Sequence, residues 1–96
     1  MNNLKEISEI LNNIDSQENI NNFLLEILTE SEVETLSKRW CIVKMLLEGK
    51  TQREISKELN VSLCNVTRGS RILKNKNSVV KKYLIKENKN EYISKN

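Results

Sequence analysis

A chain of 96 residues with no His, no Pro, two Gly and two Cys allows one domain and a narrow range of chemistry. Without His there is no Ser-His-Asp triad, no Cys-His dyad and no imidazole-bound metal; without Pro, and with only Gly49 and Gly69, hairpin folds built on Pro/Gly turns are disfavoured. The net charge of +3 hides a division: residues 1–37 carry one Lys and eight acids, a net −7, whereas residues 38–96 carry fifteen Lys/Arg and five acids, a net +10. An acidic front and a basic back point to a polyanion as partner of the second part.

A domain this small buries roughly 60–65% of its unfolded surface and would gain from a partner subunit. No apolar run approaches the ~18 residues of a membrane span, and no signal-peptide pattern opens the sequence, so no membrane partner is expected. Cys41 and Cys64 form no CxxC pair and read as reduced thiols of a cytoplasmic protein. Nothing pairs a nucleophile with a base, so an enzyme is not expected.

Helical periodicity runs through nearly the whole chain. Leu4, Ile7, Leu11 and Ile14 share one helix face, and Ile20, Phe23, Leu24, Ile27 and Leu28 repeat the spacing. Capping boxes are predicted at Asp15 with Glu18, Thr29 with Glu32, and Thr51 with Glu54. Residues 30–48 form the longest predicted helix. Val33, Leu36, Trp40, Val43 and Leu47 make its stripe, and Ile42, Met45 and Leu46 widen it to a second side. Such a helix needs cover on both sides, which a second subunit can supply, and Trp40 is expected to pack in the core. Gly49 supplies the stop.

Residues 51–74 read TQREISKELNVSLCNVTRGSRILK, two short helices about a tight turn. Ile55, Leu59, Val61 and Val66 fit the shared core of a helix-turn-helix. Ser56 is the small residue at the crossing, and Asn60 stands where positive φ is wanted. Ser62 is placed to cap a second helix from Leu63 to Lys74. Its N-terminal residues Leu63, Cys64, Asn65 and Thr67 would enter the major groove. Gln52 and Arg53 are placed for phosphates, and Lys50, Lys57, Arg71 and Lys74 add charge. Gly69 costs about 1 kcal/mol in a helix interior, so a close approach is expected there, from another helix or from a ligand. Residues 75–78 read as a loop. Val79, Val80, Tyr83 and Leu84 support a last helix over 78–90, followed by a frayed tail at 93–96. There is no internal repeat, and the many Asn residues read as compositional bias.

From Leu24 to Lys74 the chain resembles the tryptophan repressor family, through LLEILTESEVETLSKRWCIVKMLLEG, TQREISKEL and VTRGSRILK. The resemblance implies an all-α, six-helix subunit with a helix-turn-helix reading head at 51–74. It also implies an intertwined homodimer whose core is residues 1–48 and 76–92, all within one domain spanning 1–96. Its implied function is repression of transcription at operator DNA, with L-tryptophan as co-repressor lodged between the dimer core and the head.

By the same resemblance, Arg39 packs on one face of the indole, and Arg68 covers the other face and meets the carboxylate. Two guanidinium planes suit an indole, through cation–π attraction and flat stacking. Gly69 leaves room for the ligand and Thr29 stands beside the pocket. The carbonyls of Glu26 and Leu28 receive the ammonium group.

Three departures stand out. Ile72 replaces a serine near the ligand's amino group; losing a hydrogen bond to a charged group costs roughly 1.5–3 kcal/mol, so weaker tryptophan binding, another aromatic amino acid, another small molecule or no ligand at all are the alternatives. The Gly49-Lys50-Thr51 connection is one residue shorter than in the members compared. Leu63, Cys64 and Asn65 differ from the family's groove-reading residues, so the operator sequence does not carry over. A dimerisation or adaptor protein that no longer touches DNA is the reading from another class.

Overall fold

Six helices follow one another along the chain: α1 (Leu4–Asn13), α2 (Gln17–Ile27), α3 (Glu30–Leu47), α4 (Gln52–Leu59), α5 (Leu63–Lys74) and α6 (Val79–Lys95). The computed structural model describes residues 2–95, with side chains described through Glu87. No strand occurs among the described residues, and the fold is all-α as expected. The chain, expected as one domain, groups its internal contacts into two compact units, Met1–Thr35 and Leu36–Asn96.

In the first unit, local signals set the helices. Ser16, not Asp15, caps α2: its hydroxyl accepts the Asn19 amide at 3.1 Å. A hydroxyl at Ser16 displaces the expected Asp15–Glu18 box because Ser16 holds the extended backbone an N-cap needs (φ −138°, ψ 145°). The box at Thr29 is complete. The Glu32 amide donates to Thr29 Oγ1 at 3.1 Å, and the Thr29 amide donates to Glu32 Oε1 at 2.9 Å. Although α1 and α2 carry clear apolar stripes, no residue of either is buried. Short helices draw most of their stability from packing of an amphipathic face, and here Ile7, Leu11, Ile14, Ile20, Phe23 and Leu24 are covered only in part.

The Thr29 backbone amide, and secondly its hydroxyl, hold the Glu32 carboxyl below the usual carboxylate range. A lowered folded pKa contributes stability at pH above the ordinary glutamate value of about 4.3, and that contribution is lost as pH falls through the folded pKa. Glu32→Gln keeps an N3 side chain able to complete the box without titrating. The variant is therefore expected to show a smaller drop in Tm between pH 7 and pH 3 than the parent chain; equal drops would show that the box carries no pH dependence.

The second unit holds the core. Ile42, Val43 and Met45 of α3, Ile55 of α4, Val66 of α5 and Leu84 of α6 are its buried apolar residues. Cys41, Leu46, Leu59 and Val61 pack against them. Gly49 ends α3 with φ +96°, its amide donating to Leu46 O and the next amide, of Lys50, to Met45 O. That pair of bonds is the Schellman stop, which only a residue tolerant of positive φ allows without strain. Trp40 departs from its expected place in the core: it is 45% exposed, with Leu36 beside it on the uncovered side of α3.

After α5, the predicted loop at 75–78 forms. The Asn77 amide donates to Asn75 Oδ1, and Ser78 Oγ accepts the Lys81 amide at the start of α6. The last helix runs beyond the predicted 78–90, to Lys95. Residues 93–95 of the predicted frayed tail are thus helical in backbone, and Asn96 lies outside the described residues.

Candidate functional site

The helix-turn-helix is built by local chemistry that every part of 51–74 shares. Thr51 caps α4, its hydroxyl accepting the Glu54 amide at 3.2 Å, whereas the reciprocal bond of the expected box, from the Thr51 amide to the Glu54 carboxylate, is not formed. Asn60 ends α4 in the left-handed region (φ 53°, ψ 52°), as its place in the turn predicts. The turn is then tied twice: the Val61 amide donates to Ser56 O at 3.1 Å, and Ser56 Oγ donates to Val61 O at 2.6 Å. The second of these bonds gives Ser56 a role beyond small size. Ser62 caps α5 by accepting the Asn65 amide at 3.2 Å. Ile55 and Val66 are fully buried between the two helices and their neighbours, and Leu59 and Val61 close the rim. A salt bridge from Lys50 to Glu58 (3.1 Å) braces the end of α4 against the connection from α3. The Glu58 hydrogen bond, then its charge, raises the Lys50 pKa.

Of the predicted groove and phosphate residues, Ser62, Leu63, Cys64 and Asn65 at the head of α5 are exposed, as are Arg53 and Lys74. Leu63 presents nearly half of its surface. Thr67 differs: it is half-buried, and its hydroxyl donates to Gln52 Oε1 at 3.1 Å. Thr67 lies one helical turn beyond Leu63 and Cys64, on the side of α5 that faces the start of α4. The bond engages the Gln52 carboxamide by its oxygen and leaves its NH₂ group as a donor for another partner.

Four residues of α5, Asn65, Arg68, Gly69 and Ile72, meet two of α3, Arg39 and Ile42, around one cleft. The α5 set follows i, i+3, i+4, i+7, one face of a helix. That spacing is present in the sequence and marks Asn65, assigned there to the groove alone, as a cleft residue too. The cleft thus unites Arg39, Arg68, Gly69 and Ile72 of the predicted ligand residues. Glu26, Leu28 and Thr29 belong to the other unit, at the junction of α2 and α3. Leu28 ends α2, and Thr29 caps α3.

Gly69 explains itself by helix contact. A Cβ placed there would lie 2.8 Å from Ile42 Cγ2, 3.4 Å from Leu46 Cδ1 and 3.6 Å from Val43 Cγ2. Its lack of a side chain lets α5 sit directly on α3, and the same close approach narrows the cleft to about 20 Å³. That volume is about enough for one water and far below the size of an indole. Two guanidinium groups, one carboxamide, two isoleucines and a glycine make a lining that favours a flat apolar body bearing a negative group.

Comparison with known proteins gives one consistent result. Residues 2–88 match the family described as Trp repressor protein. A Trp operon repressor homolog of Chlamydia trachomatis serovar D is 43% identical over 61 residues, 62% of this chain and 65% of that protein. Another, of Chlamydia caviae, is 40% identical over 67 residues, 69% of this chain and 66% of that protein. A third, of Vibrio parahaemolyticus, is 37% identical over 79 residues, 80% of this chain and 76% of that protein. The chain therefore spans slightly less than two thirds of the chlamydial relatives' length. No solved structure matches it. By the span of the family match and by the motifs it contains, the chain belongs to the Trp repressor protein family.

Proposed function

We propose that the protein is a DNA-binding transcriptional repressor, dimeric and cytoplasmic, whose hold on operator DNA is strengthened by L-tryptophan in the cleft between α3 and α5. One observation carries this reading: Arg39 and Arg68 line the same cleft, directly beneath the helix whose exposed N-terminus would read the groove. A ligand the size of an indole must part Gly69 from Ile42 to enter, and that displaces α5. Binding in the cleft and the position of the reading helix are then one equilibrium, and a ligand that prefers the parted form favours it by its differential affinity. The relatives' name, Trp operon repressor homolog, fits tryptophan as the ligand and repression as the outcome. This is a regulator rather than an enzyme, with no cofactor besides the co-repressor.

Dimerisation supplies what the isolated chain lacks. The stripes of α1 and α2 are at most half-buried, and Leu36 and Trp40 leave one side of α3 exposed. An interlocked second copy covers such faces, and a thin core beside many exposed apolar residues supports it. Light scattering should return twice the chain mass. No helix among the described residues is long and apolar enough to cross a membrane.

The deciding experiment is a DNA-binding titration over a salt series, with and without tryptophan. Tighter binding with the amino acid is expected; equal binding removes the gate. A second reading, a repressor that ignores tryptophan or answers to another small molecule, is favoured by Ile72, an apolar group on the cleft wall. Ile72→Ser restores a hydroxyl beside the expected ammonium position. It should tighten tryptophan binding about ten- to hundredfold by calorimetry, since a hydrogen bond to a charged group is worth roughly 1.5–3 kcal/mol. No change would show that the ammonium lies elsewhere or that tryptophan is not the ligand.

A further inference from the structure

Between the end of the reading helix and the middle of α6 lies a run of charge with one sign. Lys74, Lys76, Lys81, Lys82 and Lys86 fall within thirteen residues that contain no acid. None of the five makes a salt bridge among the described residues, whereas Lys50 does. Lys74, Lys76, Lys82 and Lys86 are exposed. On α6 the buried side is marked by Leu84, with half-buried Val80 beside it. At 100° per residue, Lys82 and Lys86 lie on the side away from Leu84, one turn apart and about 6 Å along the axis.

Their ammonium groups are also gathered. Lys82 Nζ stands 5.7 Å and Lys86 Nζ 6.0 Å from the centroid of the Tyr83 ring, which is itself 54% exposed. The ring attracts each cation, so both ammonium groups stand within about 6 Å of one exposed aromatic ring. Like charges one turn apart repel, and neither lysine has a salt-bridge partner among the described residues. A phosphate backbone relieves both at once and releases condensed counterions as it does so.

We infer that the Lys82–Tyr83–Lys86 cluster, continued by Lys76, is a second phosphate-binding surface that engages duplex DNA outside the segment read by α5. This rests on the repressor reading, because it needs the head to bring a duplex to the molecule. The surface is indifferent to sequence: lysines act as point charges on the backbone, and none stands at the head of α5, where bases are read.

The test compares the full chain with the double variant Lys82→Gln/Lys86→Gln on a 16-bp and a 40-bp duplex, across a salt series. On the long duplex, the slope of log K against log salt should become shallower by about 0.9 for each phosphate that the variant leaves unneutralised, close to 2 per chain. On the short duplex the two proteins should agree. Unchanged slope and affinity on the long duplex would overturn the inference while leaving the repressor reading intact. An equal loss of affinity on both lengths would also overturn it, by placing the lysines inside the reading footprint. A loss confined to a single-stranded 40-mer would overturn it too and would make Tyr83 a base-stacking platform. Light scattering on the variant must return the parent's mass; a change would assign Lys82 and Lys86 to a subunit interface instead. If the parent chain binds no duplex of either length, the repressor reading falls and this inference with it.

Discussion

Replacing Arg68 by Ala is expected to abolish the response of DNA binding to tryptophan while leaving the helices intact. The side chain lines the cleft from α5, and the residue as a whole is exposed, so the core does not depend on it. Its expected work is double. Stacking on an indole face contributes about 0.5–2 kcal/mol, and a charge-assisted bond to the carboxylate about 1.5–3 kcal/mol. A combined loss of about 2–5 kcal/mol lowers tryptophan affinity roughly thirty- to five-thousandfold. Calorimetry measures that loss, and DNA titrations at fixed salt measure the lost gate. Arg68→Lys separates the two contributions, because it keeps the charge and loses the plane. It should recover part of the affinity. A tryptophan response that survives Arg68→Ala would remove the cleft from the mechanism.

The largest effect on stability is expected from Ile55→Ala. Ile55 is fully buried and packs in a cluster with Ile42, Met45 and Val66. Truncation removes the transfer free energy of three carbons and leaves a cavity that rigid neighbours fill only in part, a cost of about 2–5 kcal/mol. Few residues share this core, so the loss falls on the helix-turn-helix first. A lower urea midpoint with an unchanged slope is the expected result. Amide exchange should quicken most in α4 and α5, where local opening becomes easier. Ile55→Val, which removes one carbon, should cost only about 0.5–1.5 kcal/mol. If Ile55→Ala costs no more than Ile55→Val, the head does not rely on this cluster. Loss of operator binding at temperatures where the variant is still folded would further show that the head must be rigid to read DNA.

Much of the fold is legible in the sequence because its signals are local. Thr29 with Glu32, Thr51, Ser62, Asn60 and Gly49 each act within five residues, through a cap or a left-handed turn, and each performs as its chemistry dictates. The same holds for α5, whose predicted span from Leu63 to Lys74 is the observed one. Where two capping groups stand side by side, as at Asp15 and Ser16, composition does not choose between them and backbone geometry does. The end of α6 escapes prediction for a related reason: its last residues, rich in Lys and Asn, lack an apolar period, yet the backbone continues as helix.

The candidate site divides along the same line. Arg39, Arg68 and Gly69 follow from the resemblance, and their meeting at one cleft requires α5 to settle on α3. Thr67 and Gln52, fifteen residues apart, read as two separate contacts to DNA; packing of α4 on α5 joins them by a hydrogen bond. Asn65 reads as a groove residue, and its second place on the cleft wall follows from the rotation of α5.

The division of charge with which the sequence begins has acquired a physical sense. The acidic front coincides with a unit whose apolar residues are at most half-buried, and the basic back with the core, the helix-turn-helix and the lysines of α6. By itself the sequence determined the all-helical class, the turn at Asn60, the caps at Thr29, Thr51 and Ser62 and the sign of the charge, since these depend on neighbours in the chain. Only the tertiary structure decided how tightly Gly69 seats on Ile42, whether Trp40 is covered, and which side of α5 Thr67 and Asn65 occupy. The first two turn on contacts between segments distant in sequence, and the third joins a helical period already present in the sequence to the side on which α5 packs.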